Sequence, residues 1–584
     1  MMNQEQKEYI ASLIPEGFPD GRVLLKEGYE IGKNIEVEPT NFTKATGYSG
    51  YMEYRKALRD KGECNYQILL GLANLENQLE GIQMINEFSE RNNTNLKMVM
   101  NIANQAVGLP QEYWDKMPKQ TSYLMKAPED WRAHADVSNM CVCWEDWHLT
   151  APTSLTTTVN AVKAGAPRLG TFSTFIWNFP GWDDEVNRFS DMMRSMGILA
   201  ARRDSITCDT YCEDGIPGYF LDVASYVGYT LFEHYIIEDL CGAKMSQSYG
   251  GLLTEPIPRM AYALAIHRLL AKDDDPILSF YNGGTVRQWD HDVNANYGSS
   301  VLEMFLEICF EKRYKLGGAI SPVAVTEAQR TPSCQELIDI AGAAIQSEEL
   351  AEDWLKLLDF TPIEEMAEIL MEKGKLFCEN MKSRLAEAGV NIEDPLEIIM
   401  VLRHFNYTKM EEIFSPSVDE FGEFRPYVPS VLGRQTMDMK DRILNELREC
   451  GYGNALAGKK VVAVSADGHS YGLLLVDTVL SSIGAKVING GVDMRPQDIL
   501  DLADESGTDL IMISAHNGQG LGLSQQIMDL ISDRDRDYTV FLGGMLNALL
   551  EGHDVPVDVT DKINEIGVHA TNNLKDFVKY VLER

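Results

Sequence analysis

Positive charge is scarce in this chain: 52 Lys and Arg stand against 88 Asp and Glu, a formal net charge of −36. A nucleic-acid ligand needs a basic surface to meet its phosphates, so that partner class is excluded. A run of about 18 apolar residues, the length of a spanning helix, does not occur, and a membrane partner is not expected. The first residues, Met1-Met2-Asn3-Gln4-Glu5-Gln6-Lys7, are polar and lack the apolar core of a signal peptide, so the reading is cytoplasmic. Cysteine is sparse as well. Ten in 584 residues make no disulfide framework. The close pairs Cys141/Cys143 and Cys208/Cys212 lack companion ligands at zinc-site spacing and read as reduced core thiols. Internal repeats, low-complexity tracts, a phosphate loop, a nucleophile elbow and a His-Glu-x-x-His helix are also missing.

What is present is ordinary globular material, 45% hydrophobic and 24% charged, in a length that predicts several domains. Residues 1–50 carry many Gly, Pro and Asn with little periodicity and read as an extended arm around the body or a neighbouring subunit. From 51 to 335 apolar runs alternate with helical segments. Candidate strands fall at 66–71, 96–101, 138–143, 170–175, 205–208, 243–247, 277–281 and 316–320. About eight strand-helix units predict a parallel barrel, with its site at the carboxyl ends of the strands. Residues 336–430 read as a helical extension ending in a Pro- and Gly-containing linker, and 431–584 as a further α/β domain.

That last domain holds the stretch that organises the chain. The apolar run 460–465 leads into Ala466-Asp467-Gly468-His469-Ser470-Tyr471-Gly472, and a helical segment follows. This places an imidazole at the carboxyl edge of a parallel sheet, where open α/β folds bind ligands. One ring nitrogen can bind a metal while Asp467 takes the proton of the other. Two further strand ends are rich in small residues, Ser514-Ala515-His516-Asn517-Gly518-Gln519-Gly520 and Gly543-Gly544, as needed where backbone approaches a bulky ligand.

Together these three elements resemble the cobalamin-binding domain of B12-dependent mutases and methionine synthases, over roughly 459–584, and the segment 514–520 is more similar to the small subunit of glutamate mutase than to the methionine synthase branch. The resemblance implies a flavodoxin-like, doubly wound parallel sheet. It implies His469 as lower cobalt ligand, and a cofactor-binding set of Asp467, Gly468, His469, Ser470, Gly472, Ser514, Gly518, Gln519, Gly520, Gly543 and Gly544. In the barrel, Thr326-Glu327-Ala328-Gln329-Arg330-Thr331-Pro332-Ser333 is similar to a late strand of the glutamate mutase catalytic subunit, which implies that Glu327 holds the adenosyl ribose. The family's Lys four residues before that Glu is Val323 here. The early-strand arginines that grip glutamate are also absent: residues 71–74, 101–104 and 144–148 contain none. The substrate carboxylates then fall to groups such as Arg168, Arg202, Arg203 or His148. His148 stands in the densest polar and aromatic cluster at a candidate strand end, Cys143-Trp144-Glu145-Asp146-Trp147-His148, and the loops 246–251 and 281–285 could admit a macrocycle or nucleoside.

The resemblance therefore implies an adenosylcobalamin-dependent radical carbon-skeleton mutase with a TIM-like (β/α)8 barrel. Its substrate would be a small carboxylic acid, foremost 2-methyleneglutarate converted to 3-methylitaconate, or another small acid as in glutamate mutase. A homo-oligomer is expected. A corrinoid methyl carrier or methyltransferase is the reading from another class. It is disfavoured because a linker after a long helical segment takes the place of the small helical cap. An aminomutase would need a lysine for pyridoxal phosphate.

Overall fold

The structure is a computed structural model that describes residues 2–116, 122–179, 182–250, 253–272, 279–282, 292–322, 325–326, 331–418, 424–466, 471–492, 494–515, 519–548, 550 and 557–584. It divides into two compact units, 1–430 and 431–584.

The first unit is built on eight short strands: β1 Asn65–Leu70, β2 Leu96–Asn101, β3 Cys141–Trp144, β4 Arg168–Leu169, β5 Thr207–Tyr211, β6 Met245–Tyr249, β7 Ser279–Asn282 and β8 Ala319–Ile320. They pair in chain order, every pair parallel, and β8 returns to β1 through Asn65–Ala319 and Tyr66–Ile320, so the sheet closes. The ring is thinnest at β3–β4, where Trp144–Leu169 is the pair made. Several strands are displaced from their expected places. The run 170–175, read as a strand, is mostly a 3-10 helix, Phe172–Ile176, and the strand lies just before it. β6 runs past the expected 243–247, so that Ser248 and Tyr249, read as loop, lie inside it.

Alternation along the strands separates two environments. Val99 and Val142 face the surrounding helices and join the main core. Met98, Met100, Cys141 and Cys143 face inward and meet Phe42, Tyr51, Tyr54 and Leu58. The helix Tyr51–Lys61 thus covers the amino ends of the strands. Tyr51 Oη bonds Asn65 Oδ1 at 3.2 Å, and Arg55 Nε donates to Gly317 O at 3.1 Å.

Residues 1–50 are not an extended arm. They form the helices Gln4–Ala11, Gly21–Lys33 and Asn41–Thr46. The second of these buries Gly21, Leu24, Leu25, Gly28 and Gly32, a stripe at helical spacing. Its partner is the helix Glu185–Ala201. A Cβ on Gly28 would stand 1.9 Å from Arg194 O, and one on Gly197 2.2 Å from Leu25 O. The glycines that suggested a loop are what let the two backbones touch. Arg202, a candidate for substrate carboxylates, instead caps this helix, with Nε on Gly32 O at 2.7 Å. Arg203 is exposed, four residues before β5 begins. Helices from 334 to 414 complete the first unit, with Phe377 of Thr361–Glu387 set against Phe220 at 5.6 Å between ring centroids.

The second unit opens with the helix Val431–Glu449 and carries β9 Lys460–Ser465, β10 Lys486–Gly491, β11 Leu510–Ala515, β12 Thr539–Gly544, the minor pair β13 Asn547–Ala548 and β14 Val557–Asp558, and β15 His569–Ala570. The main sheet is parallel, ordered β10-β9-β11-β12-β15. Its strands read as near-continuous apolar runs because helices cover both faces. Among the described residues, no helix is long and apolar enough to cross a membrane.

Candidate functional site

In the second unit the strand order reverses between β9, whose helix crosses to β10, and β11. The carboxyl ends flanking that reversal are Ser465-Ala466 and Ser514-Ala515, joined by Ala466 N donating to Ser514 O at 2.8 Å. Parallel α/β sheets open a ligand crevice at such a point. Gly472 lies in the first turn of the helix Tyr471–Ser482, and a Cβ on it would stand 2.1 Å from Ser514 Oγ. Ser514 Oγ makes no hydrogen bond to another described residue, although the residue is 9% exposed. Gln519 precedes, and Gly520 begins, the helix Gly520–Ser532.

Gly543 and Gly544 have a second duty. Gly544 sits at φ +107°, and a Cβ on it would stand 2.2 Å from Ala515 O; one on Gly543 would stand 2.7 Å from Thr571 O. Both positions require glycine for chain packing, whatever binds nearby. Asp467, Gly468, His469, Ser470 and Gly518 lie outside the described residues, as does Glu327 of the barrel.

Inside the barrel the structure gathers a buried charged cluster. Arg168 of β4 pairs through Nε with Glu145, just past β3, and donates from Nη2 to Gln67 Oε1 of β1 at 3.3 Å. Asp209 of β5 accepts from Ser246 Oγ and Ser248 Oγ, both at 2.7 Å. Thr207 Oγ1 in turn donates to Ser246 Oγ at 2.9 Å. Burial pushes the Glu145 carboxyl well up, Arg168 opposes this, and Asp209 reinforces it. Asp209 is likewise raised, by burial first and against the pull of Arg168 and the two serines. Both carboxyls thus gain proton affinity through burial, Glu145 also through repulsion by Asp209, and Arg168 beside them opposes the shift.

Of this cluster, Arg168 was a candidate, and Glu145 lay in the segment that attracted notice. Ser246 and Ser248 lay in the segment 246–251, read as a loop that could admit a macrocycle or nucleoside, and Asp209 was missed. The available signal is a polar residue at alternate positions, Thr207/Asp209 and Ser246/Ser248, which share one face of their strands. His148 belongs to the outer layer instead. Its ring stacks on Trp147 at 3.8 Å and meets Trp131 edge-on at 5.7 Å. Nδ1 contacts Glu145 O, and Nε2 is buried without a hydrogen-bond partner. Burial depresses its pKa to about 3, so the ring is neutral. Trp144 and Trp147 are core residues, 0% and 2% exposed. His148 therefore does not present a charged donor to the barrel interior.

Residues 459–559 match the family model of the B12 binding domain. The glutamate mutase sigma subunit of Escherichia coli O157:H7 is 32% identical over 111 residues, which are 18% of this chain and 68% of that protein. The chain belongs to the glutamate mutase sigma subunit family through its second unit. Glutamate mutase sigma subunit 2 of Haloarcula marismortui is 26% identical over 83 residues, 14% of this chain and 56% of that one. A solved cobalamin-binding protein from Desulfitobacterium hafniense DCB-2 aligns with 40% of this chain and 97% of its own, at 16% identity and a TM-score of 0.20. The B12 binding domain match includes both Gly472 and Ser514, which flank the crevice of this unit.

Proposed function

We propose that the chain is an adenosylcobalamin-dependent carbon-skeleton mutase of a small dicarboxylic acid, with 2-methyleneglutarate to 3-methylitaconate as its reaction. The observation that carries this reading is the Gly472–Ser514 contact at the reversal of a parallel sheet, within the segment similar to glutamate mutase sigma subunits. Supporting it, the same chain supplies a closed eight-strand sheet with a polar interior, in keeping with a TIM-like (β/α)8 barrel.

When bound, adenosylcobalamin supplies the radical that a carbon-skeleton rearrangement needs. The chain's residues bind, orient and shield. Ser514 Oγ offers a hydrogen bond to a polar group of the cofactor, Gly472 leaves room beside it, and Gly520 begins the helix lining the crevice. His469 is assigned as cobalt ligand, with Asp467 fixing its tautomer, and Glu327 as the ribose contact. In the barrel, Arg168 holds Glu145 and Asp209 in place in a buried interior, where a radical is protected from side reactions.

The test is the purified full chain loaded with adenosylcobalamin and offered 2-methyleneglutarate, glutamate and acyl-CoA substrates, with products read by proton NMR. Accumulation of 3-methylitaconate is expected. A cofactor-loaded chain that converts none of them sinks the mutase reading.

A further inference from the structure

The segment leading out of the first unit is not a free linker. Asp222, the N-cap of the helix Val223–His234, is fully buried, and its carboxylate takes four donors. Oδ1 accepts from Ala224 N and Val428 N, each at 3.0 Å. Oδ2 accepts from Ser417 Oγ at 2.6 Å and Tyr427 N at 2.8 Å. One side chain therefore ties down both ends of the stretch 417–428. Backbone pairing continues the seam: Val223 N donates to Val428 O at 2.8 Å, and Ser430 N to Leu221 O at 2.9 Å. Ser430 Oγ adds a bond to Phe220 O at 3.0 Å. From below, Glu411 accepts from Leu221 N at 2.7 Å and Asp222 N at 3.1 Å, holding the clasping loop itself.

Two features give this clasp a purpose beyond packing. Residues 212–222 follow β5, so the clasp sits among the carboxyl-end loops, the face on which barrel sites open. Ser430, at the end of the first unit, closes the seam through its bonds to Leu221 O and Phe220 O. We propose that Asp222 is a positioning residue: by pinning both flanks of 417–428 to the loop 212–222, it holds the carboxyl-end loops of the barrel in the arrangement that turnover needs. The proposal rests on the mutase reading only for its consequence in turnover.

The experiment uses the full chain as Asp222→Asn and Ser417→Ala. Asparagine keeps the size but turns a donor toward backbone N–H groups, and alanine removes one bond of the four. Hydrogen exchange of the Tyr427, Val428 and Ser430 amides is expected to rise at least tenfold in Asp222→Asn and by less in Ser417→Ala. Titration with adenosylcobalamin is expected to give an unchanged Kd, because the cofactor crevice lies in the other unit. Turnover is expected to fall at least tenfold in kcat with KM within twofold. Unchanged exchange overturns the clasp. Faster exchange with full kcat overturns its positioning role. If Asp222→Asn does not fold, Ser417→Ala carries the same readings. A parent chain that binds cofactor but turns over no acid fails the proposed function and removes the positioning role with it, whereas the exchange data still decide the clasp.

Discussion

Gly472 and Ser514 meet across the crevice so closely that a methyl group on the first would stand 2.1 Å from the hydroxyl oxygen of the second. Gly472→Ala should therefore turn the Ser514 hydroxyl away and fill the space beside it. We expect cobalamin affinity to fall at least tenfold, with about 1 kcal/mol or less lost from the second unit, because a serine hydroxyl can rotate away. Adding Ser514→Ala should restore the stability but not the affinity, as read by spectrophotometric titration and thermal melting.

His469 carries the metal assignment from its motif. Labelling histidine with nitrogen-15 should change the superhyperfine splitting in the electron paramagnetic resonance spectrum of the cob(II)alamin-loaded chain. Asp467→Asn should keep cofactor binding but weaken it roughly 10- to 100-fold. Identical spectra with and without the label would remove His469 as ligand.

Arg168 holds two buried carboxyls that otherwise face each other. Arg168→Met should destabilise the first unit by roughly 3–5 kcal/mol, since it leaves charge buried without a partner. Adding Glu145→Leu should recover part of the loss. All eight tryptophans precede Val431, so denaturation followed by tryptophan fluorescence reports on this unit alone.

Buried groups should bend the stability of the first unit in both directions with pH. Burial raises Glu233 to about 8, against the hydrogen bonds from Cys212 and Ser173. A raised carboxyl binds its proton more tightly in the folded state, so this contribution is present below about pH 4.5 and lost as pH rises through about 8. His148 and His134 are depressed by burial to about 3 and about 4. Their contribution is present above about pH 6.5 and lost as pH falls toward those values. Tm of the first unit should decline on both sides, and Glu233→Gln should lessen the alkaline decline without touching the acid side, Glu411 at about 8 and Glu311 at about 7 keeping the rest.

The second unit was legible because three strand ends repeat one theme, an apolar run stopping at small or polar residues. The barrel was legible as a count of alternations, but its interior was not. Ser248 read as loop because it precedes Gly250, yet it lies in β6 and donates to Asp209, and that cross-strand partner is invisible in linear order. The amino-terminal helices were missed for a related reason: Gly28 and Gly32 weaken helix propensity, and their compensation is contact with a helix more than 150 residues away. Trp144 and His148 misled through proximity to a strand end, where a one-residue change of side exchanges interior for outer layer.

The helix Tyr51–Lys61 plugs the amino end of the sheet with aromatic side chains. A plug of this kind has to be laid down with the ring it fills, so the strands and the helix should protect their amides from exchange as one cooperative block.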